Sequence, residues 1–148
     1  MNKRHLRSIR LLAECYHAFE QFSGSHIRTL GLTPPQFDII ATLGNTSGMP
    51  FKELGEKTLI TKGTLTGIIQ RLEEKELVKR VVKTEDRRSM IVQLSSKGEQ
   101  VFQQVFAPHV AFCRQPFADY CEEDFAALER ELEKLKSRFD AVLAKSKN

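Results

Sequence analysis

Residues 62–72 read KGTLTGIIQRL, and their apolar positions follow the period of an α-helix. The apolar side chains fall on one stripe of that helix: Leu65, Ile68, Ile69 and Leu72. The other positions carry glycine and polar or basic side chains. We therefore predict a helix over 61–75 with one face packed on a core and the other face exposed.

A β-hairpin is predicted directly after this helix. Residues 77–83 and 90–94 are short runs rich in valine, isoleucine and other residues favoured in strands. Between them, residues 84–89 read TEDRRS, which is polar turn sequence. The hairpin would therefore have a charged tip with two adjacent arginines.

Two shorter helices are predicted ahead of residue 61. Thr33-Pro34-Pro35-Gln36 combines a capping threonine, a proline at the first helical position and a glutamine that completes a capping box. A helix should follow over 34–43. After a glycine-rich turn, Met49-Pro50 opens a second helix over 51–57. We predict a helix-turn-helix that consists of this helix, a tight turn and the helix over 61–75.

Longer amphipathic helices are predicted at both ends of the chain. The first has apolar residues at steps of three and four and should end near Phe22, ahead of Ser23-Gly24-Ser25. Ser96-Lys97-Gly98-Glu99 has the form of a capping box and opens a further helix. The last helix, over 122–143, has a narrow apolar seam that needs a partner. The seam residues are Phe125, Leu128, Leu132, Leu135, Phe139 and Val142.

The composition fits one globular domain over 1–148. The chain is 41% hydrophobic and 28% charged, which is enough for a core. No apolar run approaches the roughly 18 to 20 residues of a membrane span, and the first residues do not resemble a secretory signal. We expect a soluble cytoplasmic protein without a membrane partner or a cofactor. Three cysteines without CxxC spacing argue against a disulfide framework or a zinc knuckle: Cys15, Cys113 and Cys121.

The positive charge is concentrated in one quarter of the chain. The formal net charge is +4. The segment from Thr61 to Gly98 holds nine lysines or arginines against five acids, so it carries the whole excess. This distribution predicts that a polyanion binds there.

The predicted unit suits double-stranded DNA, because a helix of this width fits a major groove. Lys62, Thr64 and Thr66 in its first turn are placed for base edges, and Gly63 permits close approach of a phosphate. Gln70 is placed for an adenine edge and Arg71 for a phosphate. The candidate recognition residues are Thr61, Lys62, Gly63, Thr64, Thr66, Gln70 and Arg71.

Three stretches of sequence resemble motifs of the MarR family of bacterial transcription regulators. Residues 86–98 resemble the family's wing signature, a D-x-R tip followed by a strand and an L-[ST]-x-x-G helix start. Residues 32–37, LTPPQF, resemble its L-T-x-x-Q-[FYW] helix opening. Residues 62–73 are similar to its recognition helix. The three motifs occur in the right order at the right separations.

The resemblance implies a fold that is mainly α with a small β-hairpin wing (α+β). This fold is a winged helix-turn-helix with N- and C-terminal dimerisation helices. Residues 1–30 and 100–148 would supply the dimerisation helices, and 33–98 the DNA-binding lobe. The implied function is a homodimeric regulator, by analogy a repressor, that grips a pseudo-palindromic operator. The expected dimerisation residues are Leu6, Ile9, Phe125, Leu128, Leu132, Leu135, Phe139 and Val142.

The resemblance also assigns roles in the wing and a ligand cleft. Arg88 is expected in the minor groove, Asp86 braces the wing through an ion pair, and Arg87 contacts a phosphate. The wing residues expected at DNA are Lys83, Asp86, Arg87, Arg88 and Ser89. In that family, small aromatic or phenolic ligands release DNA from a cleft, which here would be lined by Tyr16 and Phe37.

Two alternatives remain open on the sequence. In the first alternative, the chain is a thiol- or metal-based sensor that uses DNA binding as its readout. The sensing group would be Cys15, or His109 and Cys113 on one helix face. In the second alternative, the winged domain binds a protein and not DNA. An enzyme is not expected, because the sequence has no phosphate-binding glycine loop, G-x-S-x-G elbow or H-E-x-x-H motif.

Overall fold

The computed structural model of the chain describes residues 2–82 and 90–148. The chain divides into two compact units, Met1–Phe112 and Cys113–Asn148. The elements of the first unit are α1 (Arg4–Thr29), α2 (Pro34–Leu43), α3 (Phe51–Thr58), α4 (Lys62–Glu74), β1 (Val78–Val82), β2 (Met90–Leu94) and α5 (Ser96–Phe112). The second unit has a short 3₁₀ helix (Gln115–Phe117) and α6 (Glu122–Ser146).

The core of the first unit lies among α2, α3, α4, α5 and the hairpin. Its most deeply buried side chains are aliphatic: Ile39, Ile40, Leu43, Leu54, Leu65, Ile69, Leu72 and Val92. Burying each one stabilises the fold by about 1.5 to 3 kcal/mol relative to an exposed position. The stripe predicted on α4 is buried as a whole, so this helix is fixed to the core along one side.

The start of α2 confirms the predicted capping box. The backbone N–H of Gln36 donates to Thr33 Oγ1 at 3.4 Å, and the backbone N–H of Thr33 donates to Gln36 Oε1 at 3.1 Å. Pro34 occupies the first turn, where its missing N–H costs nothing. These local bonds orient α2, which packs against α1, α3, α4 and α5.

The hairpin has the predicted position. β1 and β2 are antiparallel, with Val78 opposite Leu94 and Val82 opposite Met90. A feature not predicted from the sequence is a bridge from Met49 to β2, in which Met49 and Val92 exchange both backbone hydrogen bonds. Met49, two residues before α3, therefore ties β2 to the helix-turn-helix.

Two boundaries differ from the predictions. α1 does not end near Phe22 but continues to Thr29, because Ser23 and Gly24 are buried on α1 and tertiary packing outweighs their poor helix propensity. At the start of α5, the capping side chain is Ser95 and not Ser96. Its Oγ accepts the backbone N–H of Gly98 at 3.0 Å and donates to the carbonyl of Glu76 at 2.6 Å. The bond to the Glu76 carbonyl favours Ser95 over Ser96 as the capping residue of α5.

The turn between α3 and α4 holds a leucine in an unfavourable conformation. Leu59 has a φ of 60° and is 88% exposed. A left-handed conformation costs a residue with a Cβ about 1 to 2 kcal/mol, and an exposed side chain returns little burial energy. The turn that sets the start of α4 is therefore strained.

We predict that Leu59→Gly raises the free energy of unfolding by about 0.5 to 1 kcal/mol. Glycine adopts this φ without strain, and the gain is reduced by its greater freedom in the unfolded chain. Urea unfolding of the two proteins measures the difference. Leu59→Ala is the matched control, because it keeps the Cβ and should give no gain. An equal gain from alanine would show that the backbone at residue 59 is not strained.

The second unit contains α6 and an aromatic cluster ahead of it. Phe117, Tyr120 and Phe125 pack together with ring centroids 5.2 to 5.5 Å apart. Cys121 caps α6, and its backbone N–H donates to Asp124 Oδ2 at 3.0 Å, which lowers the pKa of that carboxyl group. No helix within the described residues is long and apolar enough to cross a membrane.

Candidate nucleic-acid interface

The exposed face of α4 carries the residues predicted for the recognition helix from Lys62 onward. Thr61 precedes the helix in an extended conformation, and α4 runs from Lys62 to Glu74. Its buried stripe fixes its rotation about its own axis, so the remaining side chains point away from the core. All the predicted recognition residues are exposed: Thr61, Lys62, Gly63, Thr64, Thr66, Gln70 and Arg71.

The threonines at the start of α4 are held by local hydrogen bonds. Thr61 Oγ1 donates to Thr64 Oγ1 at 3.1 Å, and Thr66 Oγ1 donates to the carbonyl of Lys62 at 3.3 Å. Within the described part of the chain, no side chain caps the first turn of α4. The backbone N–H groups of Thr64 and Leu65 donate to the carbonyl of Thr61, so those of Lys62 and Gly63 are left for whatever approaches this end of the helix.

An ion pair that the sequence did not reveal connects β1 to α4. Arg80 donates from Nε and from Nη2 to Glu73 Oε1, each at 2.8 Å. The guanidinium carbon of Arg80 also lies 5.1 Å from the centroid of the Phe51 ring. Arg80 thus braces the hairpin against α3 and α4. The only sequence signal was the opposite charge of the two residues, which lie seven positions apart.

The predicted wing contacts lie outside the described residues. β1 ends at Val82 and β2 begins at Met90. The wing residues between these strands remain predictions: Lys83, Asp86, Arg87, Arg88 and Ser89. The base of the wing is described, and it is attached to the core through buried Val78 and Val92.

The residues predicted for dimerisation form exposed apolar surfaces on α1 and, separately, on α6. Leu6 and Ile9 on α1 are about half exposed, and neighbouring Leu12, Tyr16 and Phe19 are exposed as well. On α6, Phe125 is half-buried beside Phe117 and Tyr120. The rest of the α6 seam is exposed: Leu128, Leu132, Leu135, Phe139 and Val142. Such continuous apolar surfaces are typical of interfaces between proteins.

The two residues predicted to line a ligand cleft are separated. Tyr16 lies on a groove of about 740 Å³ among α1, the start of α2 and the α3–α4 turn. Phe37 is buried instead, with the centroid of its ring 4.5 Å from that of the His109 ring. The groove has charged groups that the sequence did not single out, Arg28 and Asp38. Burial raises the pKa of Asp38.

The residues considered for a thiol or metal sensor are dispersed. Cys15 is exposed on α1, whereas Cys113 is half-buried and burial raises the pKa of its thiol. A raised pKa lowers the fraction of reactive thiolate at neutral pH. His109 is engaged with Ser23 and His26 of α1. Over residues 2–82 and 90–148, no three histidine, cysteine or acidic side chains are arranged to hold a metal ion.

Known proteins resemble the chain in sequence and in fold. The family model for the MarR family matches residues 32–90. The HTH-type transcriptional regulator MhqR of Bacillus subtilis is 27% identical over 84% of this chain and 86% of its own length. The HTH-type regulator YsmB of the same organism is 34% identical over 70% of this chain and 71% of its own length.

The fold is also found in a solved structure. The crystal structure of AbsC, a MarR family transcriptional regulator from Streptomyces coelicolor, superposes with a TM-score of 0.83 at 24% identity. The match covers 95% of this chain and 97% of AbsC. This likeness confirms the predicted winged helix-turn-helix.

The relatives also indicate the general function of the chain. They are transcription regulators and not enzymes, which confirms the prediction that this chain is not an enzyme. The matched family segment contains α2, α3, α4 and β1, which are the elements that present the polar face of α4. The chain therefore belongs to the MarR family and is a DNA-binding transcription regulator.

Proposed function

We propose that the chain represses transcription as a homodimer bound to a pseudo-palindromic operator. The observation that carries this proposal is the surface of α4, on which the buried stripe leaves six of the seven recognition residues exposed, with Thr61 exposed just before the helix. A regulator that occupies an operator in this way blocks transcription sterically. It acts where the chromosome is, so we infer a cytoplasmic location.

The proposed contacts divide into base readout and phosphate contacts. Thr64, Thr66 and Gln70 are exposed on α4 and face base edges in the proposed complex. Lys62 is also exposed in the first turn and is proposed for a base edge, whereas the charged end of Arg71 suits a phosphate. Gly63 has no atom within 4 Å of the position that a Cβ would occupy, so a phosphate can approach the backbone there.

The exposed apolar surfaces of α1 and α6 support the dimer. Large hydrophobic side chains on both helices are about 40 to 65% exposed in the single chain, which is unfavourable in water. We propose that a second copy covers them, with residues 1–30 and 100–148 as dimerisation segments and 33–98 as the DNA-binding lobe. Two copies of α4 must then lie about 34 Å apart to enter successive major grooves.

Release by a small aromatic ligand is part of the proposal. The groove beside Tyr16 combines an aromatic ring, the Arg28 guanidinium group and the Asp38 carboxyl group. An aromatic acid would fit this chemistry, with its ring against Tyr16 and its carboxylate on Arg28. Because the groove reaches the α3–α4 turn, an occupant there would shift the start of α4. Such a shift changes the spacing that the operator requires.

The wing contact is tested by Arg88→Ala. We expect operator affinity to fall by more than about 1 kcal/mol, because a specific arginine contact is lost, while the dimer stays intact. Fluorescence anisotropy with the duplex upstream of the protein's own coding region measures the affinity, and sedimentation measures the dimer. Arg130→Ala, on the polar side of α6, is the matched control and should change neither. Equal affinities of Arg88→Ala and the wild type would contradict the proposed wing contact.

A further inference from the structure

Two histidines from distant parts of the chain share a hydrogen bond inside the first unit. The Nδ1 atoms of His26 on α1 and His109 on α5 lie 2.9 Å apart. The other ring nitrogen of His109, Nε2, lies 3.1 Å from Ser23 Oγ. His109 is only 6% exposed, whereas His26 is half-buried.

Aromatic rings enclose this pair. The ring of His26 stacks on Phe112 with centroids 4.2 Å apart and planes inclined by 8°. The ring of Phe37, in the first turn of α2, lies with its centroid 4.5 Å from that of His109 and its plane inclined by 62°. The pair therefore lies where α1, α2 and α5 meet.

The short Nδ1–Nδ1 distance limits how many protons the pair can hold. A hydrogen bond between two imidazole nitrogens needs one N–H and one lone pair. The neutral pair provides both, and a pair with one added proton still does. When both rings are protonated, two N–H groups point at each other and two positive charges lie within van der Waals distance. The Nδ1–Nδ1 bond between α1 and α5 is then lost, and only the bond of His109 Nε2 to Ser23 Oγ is retained by the pair.

We propose that the His26–His109 pair is a proton-operated switch, which loosens the junction of α1, α2 and α5 in mild acid and thereby weakens DNA binding. The ligand of this site is the proton. The effect of the switch on operator affinity rests on the proposed function. Its effect on the stability of the fold does not require DNA.

The electrostatics of His109 favour the neutral form. Burial lowers the pKa of His109, and the positive charge of His26 lowers it further. A histidine whose pKa is lower in the folded state stabilises the fold above that pKa, and this contribution is lost as the pH falls through it. The closed junction is therefore stable at neutral and alkaline pH and is weakened in acid.

Four other ionisable groups of α1 and α2 line the groove beside Tyr16: His17, Glu20, Arg28 and Asp38. Cys113 follows His109 by four positions, and burial raises the pKa of its thiol, so it is uncharged at neutral pH. Within the described residues, His26 supplies the charge that acts on the pKa of His109.

The junction is connected to the DNA-binding helix through α2. Phe37 on α2 contacts His109, and α2 also packs against α4. Opening the junction therefore removes a support of α2 and, through it, of α4. The pKa of the histidine is lower in the form that binds DNA than in the loosened form. Each unit of this difference reduces operator affinity in acid by about tenfold.

The test compares operator affinity at about pH 8 and about pH 5.5 by anisotropy at constant salt. His109→Gln removes the buried titration but keeps groups that can bond to Ser23 and His26. His5→Gln is the matched control, because His5 is an exposed histidine near the start of α1. Each variant gives a ratio of its operator affinities at the two pH values. Titrations that are common to all variants cancel when these ratios are compared between variants.

We expect the acid loss of affinity to be about tenfold larger in the wild type and His5→Gln than in His109→Gln. His26→Gln is a second variant if His109→Gln does not fold, and its acid loss should also be smaller than that of the wild type. Equal losses in all variants would overturn the switch. Urea unfolding gives a readout without DNA, in which acid should destabilise the wild type more than His109→Gln.

The two proposals fail differently in this experiment. If the wild type does not bind the operator at about pH 8, the proposed operator binding is wrong. In that case, an equal acid loss of stability in the wild type and His109→Gln would overturn the switch as well. A larger loss of stability in the wild type would support it as a property of the fold.

Discussion

The double substitution Leu132→Asp and Leu135→Asp is expected to convert the protein into monomers and to abolish operator binding. Both leucines lie on the exposed seam of α6. In a single chain, charges at exposed positions would change stability by less than about 0.5 kcal/mol. At an interface, each aspartate would be buried without a partner, at a cost of several kcal/mol. The dimer should therefore weaken by more than about a hundredfold.

Sedimentation velocity measures this change directly. Arg130→Asp with Lys134→Asp is the matched control, since it places the same side chains on the polar side of α6, where both native residues are exposed. This control should remain dimeric and bind DNA. If the leucine variant sediments as a stable dimer, the proposed interface on α6 is wrong.

Gly98→Ala is expected to destabilise the first unit by more than about 3 kcal/mol. A Cβ at Gly98 would overlap the carbonyl oxygen of Leu77 and come within 3.3 Å of the Cβ of Leu94. The Leu77 carbonyl is fixed, because it accepts the backbone N–H of Ser95 at 3.0 Å. The first turn of α5 or the base of the hairpin would have to move, which is costly in a packed region. This close approach explains the glycine of the wing motif.

Gly67→Ala is the control for this substitution. Gly67 is also helical, but no atom lies within 4 Å of its hypothetical Cβ. Alanine there should leave stability unchanged or raise it by up to about 1 kcal/mol, because alanine favours helices. Urea unfolding of both variants measures the contrast. A Gly98→Ala protein as stable as the wild type would show that α5 does not pack this closely on Leu77.

Much of the fold was predictable because its signals are local. The capping box at Thr33 and Gln36 acts over three residues and is present with both of its bonds. The stripe on α4 depends only on helical periodicity, and all four of its residues are buried. The exposed recognition residues follow from that stripe, since the side chains that are not on it must face away from the core.

Features set by long-range packing were not predictable. Ser23 and Gly24 were interpreted as a helix end, yet α1 buries them and continues to Thr29. His109 was considered as a metal ligand with Cys113, but it bonds to His26, which lies 83 positions away in the sequence. The Arg80–Glu73 pair likewise depends on how β1 folds back over α4. No local pattern specifies such partners.

Operator binding by a homodimer requires two copies of α4 to read one DNA site together. Binding selection from a pool of random duplexes tests this claim, because the purified protein itself chooses its site. We predict enrichment of an inverted repeat whose half-sites are centred about 10 base pairs apart. One dimer should bind each such repeat. Enrichment of a single unrepeated half-site, or no enrichment over the starting pool, would contradict it.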